Sequence, residues 1–299
     1  MLLLPKFDYE EPKSLQEALR IFSELKGKAK VIAGGTDLIV NMKKGIVAPA
    51  CVVSLRRIGP LSVVDTKKTV IEIGSHVTVS ELASSGFLAA ALPVLAKAAA
   101  TLGSPLIRNR ATIGGNIVTA RPAADLPPAL MVLGAKVELK SKGKKRTVPL
   151  DGFFTGPGST VMDDDEVLTK IVTPGIPPFT GTDYVKLMHR ATLEIAIVAV
   201  ASRITLDGPA GPIKDARIVL NAVAPKAVHA VSAERFLLGE RPSEELFTEA
   251  ARRAMDDASP IDDIRGGAAY RREMVGILTK RALSKALDEV RGRETRGAR

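Results

Sequence analysis

Residues 31–37 read VIAGGTD and residues 111–116 read ATIGGN. Each stretch puts a Gly-Gly pair between an apolar residue and a small polar one. Glycine has no Cβ, enters the left-handed backbone region at little cost and lets the chain come close to a ligand. Consecutive amide N–H groups in such a turn form a concavity suited to an anion. The first turn runs into a helical pattern, whose N-terminus adds the positive end of a dipole. Thr36 and Asn116 supply hydrogen-bonding side chains at the two exits. Two such turns fit the two halves of a diphosphate. They fit equally well as tight turns beside close-packed strands, and the glycine pairs alone do not separate these readings.

Other chemistry is sparse. No G-x-G-x-x-G follows a strand pattern and no P-loop is present, so neither common nucleotide fingerprint applies. GPGST at 156–160 carries a proline where a phosphate loop needs a free N–H and reads as a plain turn. His76, His189 and His229 are scattered, and Cys51 is the single cysteine, so no metal or Fe–S ligand set is expected. The three tyrosines, Tyr9, Tyr184 and Tyr270, form no grouping with an acid or base in sequence. No catalytic dyad or nucleophile is expected. Asp125 precedes a short apolar run and has the position of a helix N-cap.

The formal net charge is +10, but 43 Lys+Arg are interspersed with 33 Asp+Glu. The basic runs, KGKKR at 142–146 and RGRETRGAR at the C-terminus, read as a solvated hairpin turn and a frayed tail. No aromatic residues interleave with them, so no nucleic-acid platform is expected. No apolar run reaches the roughly 18 residues of a membrane span. One thiol and no signal-like N-terminus fit a cytoplasmic location.

The elements that must position the glycine turns follow from periodicity. SLQEALRIFSELKG at 14–27 is a helix with a Ser14–Glu17 capping box and Gly27 at its C-terminal end. AKVIAGG contains a buried strand, TDLIVNMKKG a helix ending at Gly45, and CVVSLRRI a second strand. This order predicts a small parallel α/β unit over residues 1–57. Residues 58–175 read as a second unit. It holds two strands joined at Lys67-Lys68, a Thr78–Glu81 capping box, an Ala-rich helix closed by Gly103 and a stretch rich in turn formers at 104–125. A short helix LPPALMVLG, a hairpin turning at Lys142-Gly143 and the strand DEVLTKIVTP complete it. TPGIPPFTGTD at 173–183 marks the main boundary. Residues 180–293 run as strands and then helices, which implies an α+β domain with its helices on one face.

The ordered set AGGTDL (33–38), RNRATIGGNIVTARPAADLPPAL (108–130), YVKLMHRATLEIAIVAVA (184–201) and DDIRGGAAYRREMVGILTKRAL (262–283) resembles the FAD-binding medium subunit of the molybdenum hydroxylases. The type most resembled is that of aerobic carbon monoxide dehydrogenase, and xanthine dehydrogenase has an equivalent domain. The resemblance implies an α+β fold in which residues 1–57 and 58–175 form a two-subdomain PCMH-type, vanillyl-alcohol-oxidase-like module with FAD between them. Residues 180–293 would be the family's C-terminal flavoprotein domain.

It also implies roles. Val31, Ile32, Ala33, Gly34, Gly35, Thr36 and Leu38 match the loop that cradles the FAD diphosphate. Ala111, Thr112, Gly114, Gly115 and Asn116 match the second half of that cradle, and Val118 and Thr119 match positions beside the flavin. Asp125 matches a carboxylate that binds FAD hydroxyls, Val167 and Leu168 an apolar wall around the adenine, and Lys186 a basic residue near the flavin. Ile195 stands where carbon monoxide dehydrogenase has a Tyr, and Glu194 and Arg121 stand where the family usually has Asp. The implied partners are a small subunit with two [2Fe–2S] clusters and a large subunit with molybdopterin, two copies of each chain forming a heterohexamer. Electrons would pass from the clusters to FAD and then to an outside acceptor. A stand-alone PCMH-type flavin oxidoreductase is the alternative. The partner surface is expected around the flavin-facing loops, with Arg108 and Arg110 pairing to acidic groups.

Overall fold

A computed structural model describes residues 3–67, 69–190 and 194–297; the side chains of Lys67 and of residues 293–297 are outside that description. The chain opens with β1 (Asp8–Glu10), α1 (Leu15–Leu25), β2 (Ala29–Ile32), α2 (Leu38–Lys43) and β3 (Cys51–Ser54). The strands form a three-stranded sheet in the order β1-β3-β2, and both pairings are parallel. Ser14 caps α1 by accepting from the Glu17 amide, but the Glu17 carboxylate takes the amide of Lys13 rather than that of Ser14. Ala18, Leu19 and Phe22 of α1 pack with Val53 and Leu55 in the core of this unit. The carboxyl ends of β2 and β3 open together, the usual place for a ligand crevice in a parallel sheet.

The second unit comprises β4 (Val64–Lys67), β5 (Val70–Gly74), α3 (Val79–Ser84), α4 (Gly86–Ala91), α5 (Pro93–Thr101), α6 (Pro105–Arg108), α7 (Ile113–Val118) and α8 (Leu126–Val132). After these come β6 (Lys136–Ser141), β7 (Lys144–Pro149), β8 (Phe154–Gly156), β9 (Ser159–Thr160) and β10 (Val167–Pro174). The main sheet is antiparallel in the order β4-β5-β10-β6-β7, and β8 with β9 makes a small hairpin around the GPGST turn. Of the expected β4–β5 turn, Lys68 lies outside the described residues. The Thr78–Glu81 capping box is complete. A bulge in β10 between Leu168 and Lys170 breaks the β10–β6 register where the strand enters the cleft wall.

The expected turn-rich stretch after α5 instead holds two short helices. Ser104 caps α6, with Pro105 in its first turn, and Thr112 caps α7. A Ser or Thr ahead of each start is the N-cap signature that marks them.

The third unit has β11 (Thr180–Leu187), β12 (Val198–Leu206), β13 (Ile213–Asn221) and β14 (Val228–His229), antiparallel in that order, then α9 (Val231–Leu237), α10 (Glu244–Asp256) and α11 (Ala268–Gly297). Along β12 the side chains alternate. Val198, Val200 and Ile204 join the core under the three helices, while Ala199 and Ala201 join the core of the second unit. Both faces of the sheet are therefore covered: helices lie on one, as expected, and α5 and α8 on the other. Small residues on that second face let the units approach closely. Gly181 has the same role beneath α11, because a Cβ there would stand 1.8 Å from the Ala286 carbonyl oxygen. The C-terminal run expected as a frayed tail continues α11 to Gly297. Among the described residues no helix is long and apolar enough to cross a membrane.

Candidate functional site

The loop of residues 33–37 leaves the carboxyl end of β2 and lies against the segment that leads into α7. A Cβ on Gly34 would stand 1.8 Å from the Arg110 carbonyl oxygen and 2.9 Å from the Ala111 nitrogen, so only glycine allows this contact. Gly35 adopts φ +74° and turns the chain into α2. Among the described residues, the amide hydrogens of Ala33 to Leu38 find no protein acceptor. Residues 33–38 are all half-buried, so these six donors are not sealed in the core. They line a cleft of about 280 Å³.

The second glycine pair departs from expectation. It is not a left-handed turn but the first turn of α7. Its amides are already used: Ile113 donates to Val77 O (3.0 Å), Gly114 to Ser75 O (2.9 Å) and Asn116 to Thr112 O (3.0 Å). Gly115 donates to Thr112 Oγ1 (3.1 Å). The second pair therefore contributes shape rather than donors. Gly114 is required by packing, since a Cβ there would meet Ser75 O and Ser75 Cβ at 2.7 Å. Gly115 faces open space except for Thr112 Oγ1 at 3.0 Å and borders the cleft. Asn116 accepts from the Leu126 amide (3.3 Å), which joins α7 to α8, and Thr119 Oγ1 donates to Gly115 O (2.7 Å).

Of the residues marked in the sequence, all but Ile32, Asp125 and Lys186 line this first cleft, with Val167 and Leu168 forming its apolar side. Ile32 packs beneath Gly35 instead. Ser75, His76 and Glu166 also line it and carried no sequence signal beyond the strand end at Gly74. Burial lowers the His76 pKa and so favours its neutral ring. Glu166 is held below the usual carboxylate range by Arg146, which approaches both its oxygens at 2.6 Å. Among the described residues, no lysine or arginine lines the cleft. An anion bound there is met by backbone dipoles rather than by side-chain cations.

A second cavity of about 900 Å³ adjoins the first and shares Thr36, Asp37, Leu102, Asn116 and Thr119 with it. Asp125 borders it, and its side chain makes no N-cap bond. Instead Asp125 accepts from Tyr184 OH (2.9 Å) and from Lys186 Nζ (3.0 Å); Lys186 also donates to Thr101 O (3.2 Å). All three side chains are buried. Burial raises the Asp125 pKa against the pull of Lys186, and burial followed by the Asp125 charge raises that of Tyr184 well above its ordinary value. A tyrosine grouped with an acid and a base was not visible in the sequence, because its members come from two units. The same seam is stitched by Asn221 Nδ2 donating to Ala124 O (2.9 Å) and the Ala222 amide donating to Pro122 O (3.1 Å).

The three departures all border the second cavity. Arg121 donates to Asn41 Oδ1 (3.2 Å) and faces Asp37 at 3.7 Å. Glu194 pairs with Arg190 at 2.6 Å, and Ile195 is 57% exposed. In the expected partner loop, Arg108 is tied back to Leu102 O (3.0 Å), while Arg110 is exposed with no acceptor among the described residues.

A donor-lined cleft at the carboxyl end of a parallel sheet, opening into a larger chamber at a domain seam, defines a dinucleotide-type cofactor module carried on a C-terminal α+β domain. The family described as "FAD binding domain in molybdopterin dehydrogenase" matches residues 5–176, and "CO dehydrogenase flavoprotein C-terminal domain" matches residues 183–286. The chain belongs to the FAD-binding medium subunits of the molybdenum hydroxylase family, and is thus an oxidoreductase subunit. It is 34% identical to the carbon monoxide dehydrogenase medium chain of Hydrogenophaga pseudoflava, over 95% of this chain and 98% of that one. It is 32% identical to the glyceraldehyde dehydrogenase medium chain of Sulfolobus acidocaldarius, over 93% and 97%. The carbon monoxide dehydrogenase structure from H. pseudoflava superposes with a TM-score of 0.91 at 36% identity, covering 95% of this chain and 98% of that chain. Quinoline 2-oxidoreductase from Pseudomonas putida 86 does so with 0.90 at 29% identity, covering 97% and 99%.

Proposed function

We propose that this chain carries electrons from Fe–S clusters on a small partner subunit, through its own FAD, to an external acceptor, while a large molybdopterin subunit activates the substrate. The observation that carries the reading is the row of unpaired amides from Ala33 to Leu38, wedged by Gly34 against Arg110. Those donors fit a diphosphate, with Thr36 adding a hydroxyl. The α7 glycines give the cofactor room, and Val167 with Leu168 covers an adenine. Asp125, fixed by Tyr184 and Lys186, fits the hydroxyls of the flavin side chain, and Lys186 adds positive charge behind it. FAD, when bound, supplies the two-electron to one-electron redox chemistry. The protein's role is to hold it, shield it and orient it. Domain limits of 1–57, 58–175 and 180–293, a heterohexamer with two copies of each chain, and a cytoplasmic location complete the proposal.

The experiment is direct. The purified chain should be yellow, hold one FAD per chain, bleach with dithionite and reoxidise with an artificial acceptor. It should hydroxylate no carbon monoxide, aldehyde or purine until Fe–S and molybdenum subunits are added. Substrate turnover by the isolated chain overturns the subunit reading and favours a stand-alone flavin oxidoreductase.

A further inference from the structure

The second cavity is larger than the first. At about 900 Å³ it lies at the upper end of the range that houses a whole drug-sized ligand. Its wall also has a charge bias. Each carboxylate at its edge is already engaged: Asp37 by Arg121, Asp125 by Lys186 and Tyr184, and Glu194 by Arg190. The cations are not matched one for one. Lys44 is exposed and has no acceptor among the described residues. Arg265 and Arg271 both lean on the single carboxylate of Asp263, and the buried Arg271 Nε has no partner among the described residues. Arg121 remains 53% exposed despite its contact with Asp37. Apolar side chains stand beside these cations, with Val40, Ile195 and Ile261 all exposed along the cavity.

We propose that this chamber recruits a small anionic electron acceptor, drawn in by Lys44 and Arg121 and seated with its apolar body against Ile195 and Ile261. The inference rests on the flavin reading above and deepens it by naming the acceptor class. Each turnover would give the acceptor two electrons: taken one at a time, they leave two protons to go to solvent, and taken together as a hydride, they carry one proton to the acceptor and leave one to solvent. An excess of positive charge around a chamber raises the local concentration of anions and is screened by salt.

The test separates binding from turnover. The full chain, loaded with oxidised FAD, is titrated at low ionic strength with hexacyanocobaltate(III), a redox-inert trianion, and with hexaamminecobalt(III), an inert trication of similar size. Calorimetry and the flavin absorption spectrum are followed together. The trianion should bind and perturb the flavin spectrum, and the trication should do neither. Lys44→Glu and Arg121→Asp should each weaken trianion binding by about tenfold, with the difference shrinking as salt rises. Competition by inorganic diphosphate or by oxalate supports the proposal equally and tells whether the acceptor's anionic group is phosphate or carboxylate. Equal binding of both complexes overturns it, as does trianion binding unchanged in both variants. A chain that never holds FAD refutes the flavin reading instead, and its flavin content, measured first, keeps the two failures apart.

Discussion

Replacing Gly115 by valine tests the cofactor cleft most cleanly, because the structure separates its effect on folding from its effect on binding. Gly115 sits in the first turn of α7 with ordinary helical backbone, so a branched side chain meets no φ penalty. The new Cβ meets only Thr112 Oγ1, at 3.0 Å, which must give by a few tenths of an ångström. Valine is a better helix former than glycine by a few tenths of a kcal/mol, so the folding change should stay within about 1 kcal/mol. The Gly115 amide is already donated to Thr112, so no cradle donor is lost. The damage is steric, two methyl groups entering a cleft of about 280 Å³. Pushing a diphosphate off two charge-assisted N–H bonds forfeits about 3–6 kcal/mol, or roughly 10²- to 10⁴-fold in FAD affinity. The flavin-to-protein ratio after gel filtration, with fluorescence titration of the apo-protein, measures the loss, and urea unfolding of the apo-protein measures the fold. A variant that keeps stoichiometric FAD at the wild-type dissociation constant refutes the assignment of this cleft.

Three further outcomes are expected. Gly34→Ala forces a Cβ onto the Arg110 carbonyl and must push the two loops away from each other. It should cost about 1–3 kcal/mol in urea unfolding and also lose FAD, and a wild-type melting curve would disprove the packing argument. Asp125→Ala strands the buried Lys186 and should destabilise even the apo-protein by about 3–5 kcal/mol; a loss limited to FAD affinity would mean the Tyr184–Asp125–Lys186 group has no structural share. His229, on β14, faces Asp151 of the second unit and Glu234 of α9. Burial lowers its pKa, but the two carboxylates outweigh burial and raise it from 6.5 to about 9. A raised folded-state pKa contributes stability that is fully present below pH 6.5 and fades as pH climbs through about 9. His229→Gln should flatten the stability profile across that window, and a slope identical to wild type in urea midpoints taken from about pH 6 to about pH 10 would remove His229 from the account.

What could be read along the chain was local. The β-helix-β order of the first unit, the caps at Ser14 and Thr78, the hairpin at Lys142-Gly143 and the glycine pairs depend on residues within a few positions of one another. The four ordered motifs, taken together, carried the family resemblance that the comparisons bear out. The donor-rich character of the Gly34–Gly35 loop was legible for the same local reason, since β2 ends and α2 begins around it. What only the tertiary structure decided was how each glycine is used. The second pair looks identical in sequence, yet its amides are consumed by Ser75, Val77 and Thr112, and two of these lie more than 35 positions away. Asp125 has the position of an N-cap, but residues 59 and 61 positions later claim its carboxylate. That pairing requires the C-terminal sheet, with Ala199 and Ala201 on its inner face, to close on α5 and α8. Burying that face outweighs the local preference for a cap, and periodicity within a segment carries no information about which distant surface will cover it.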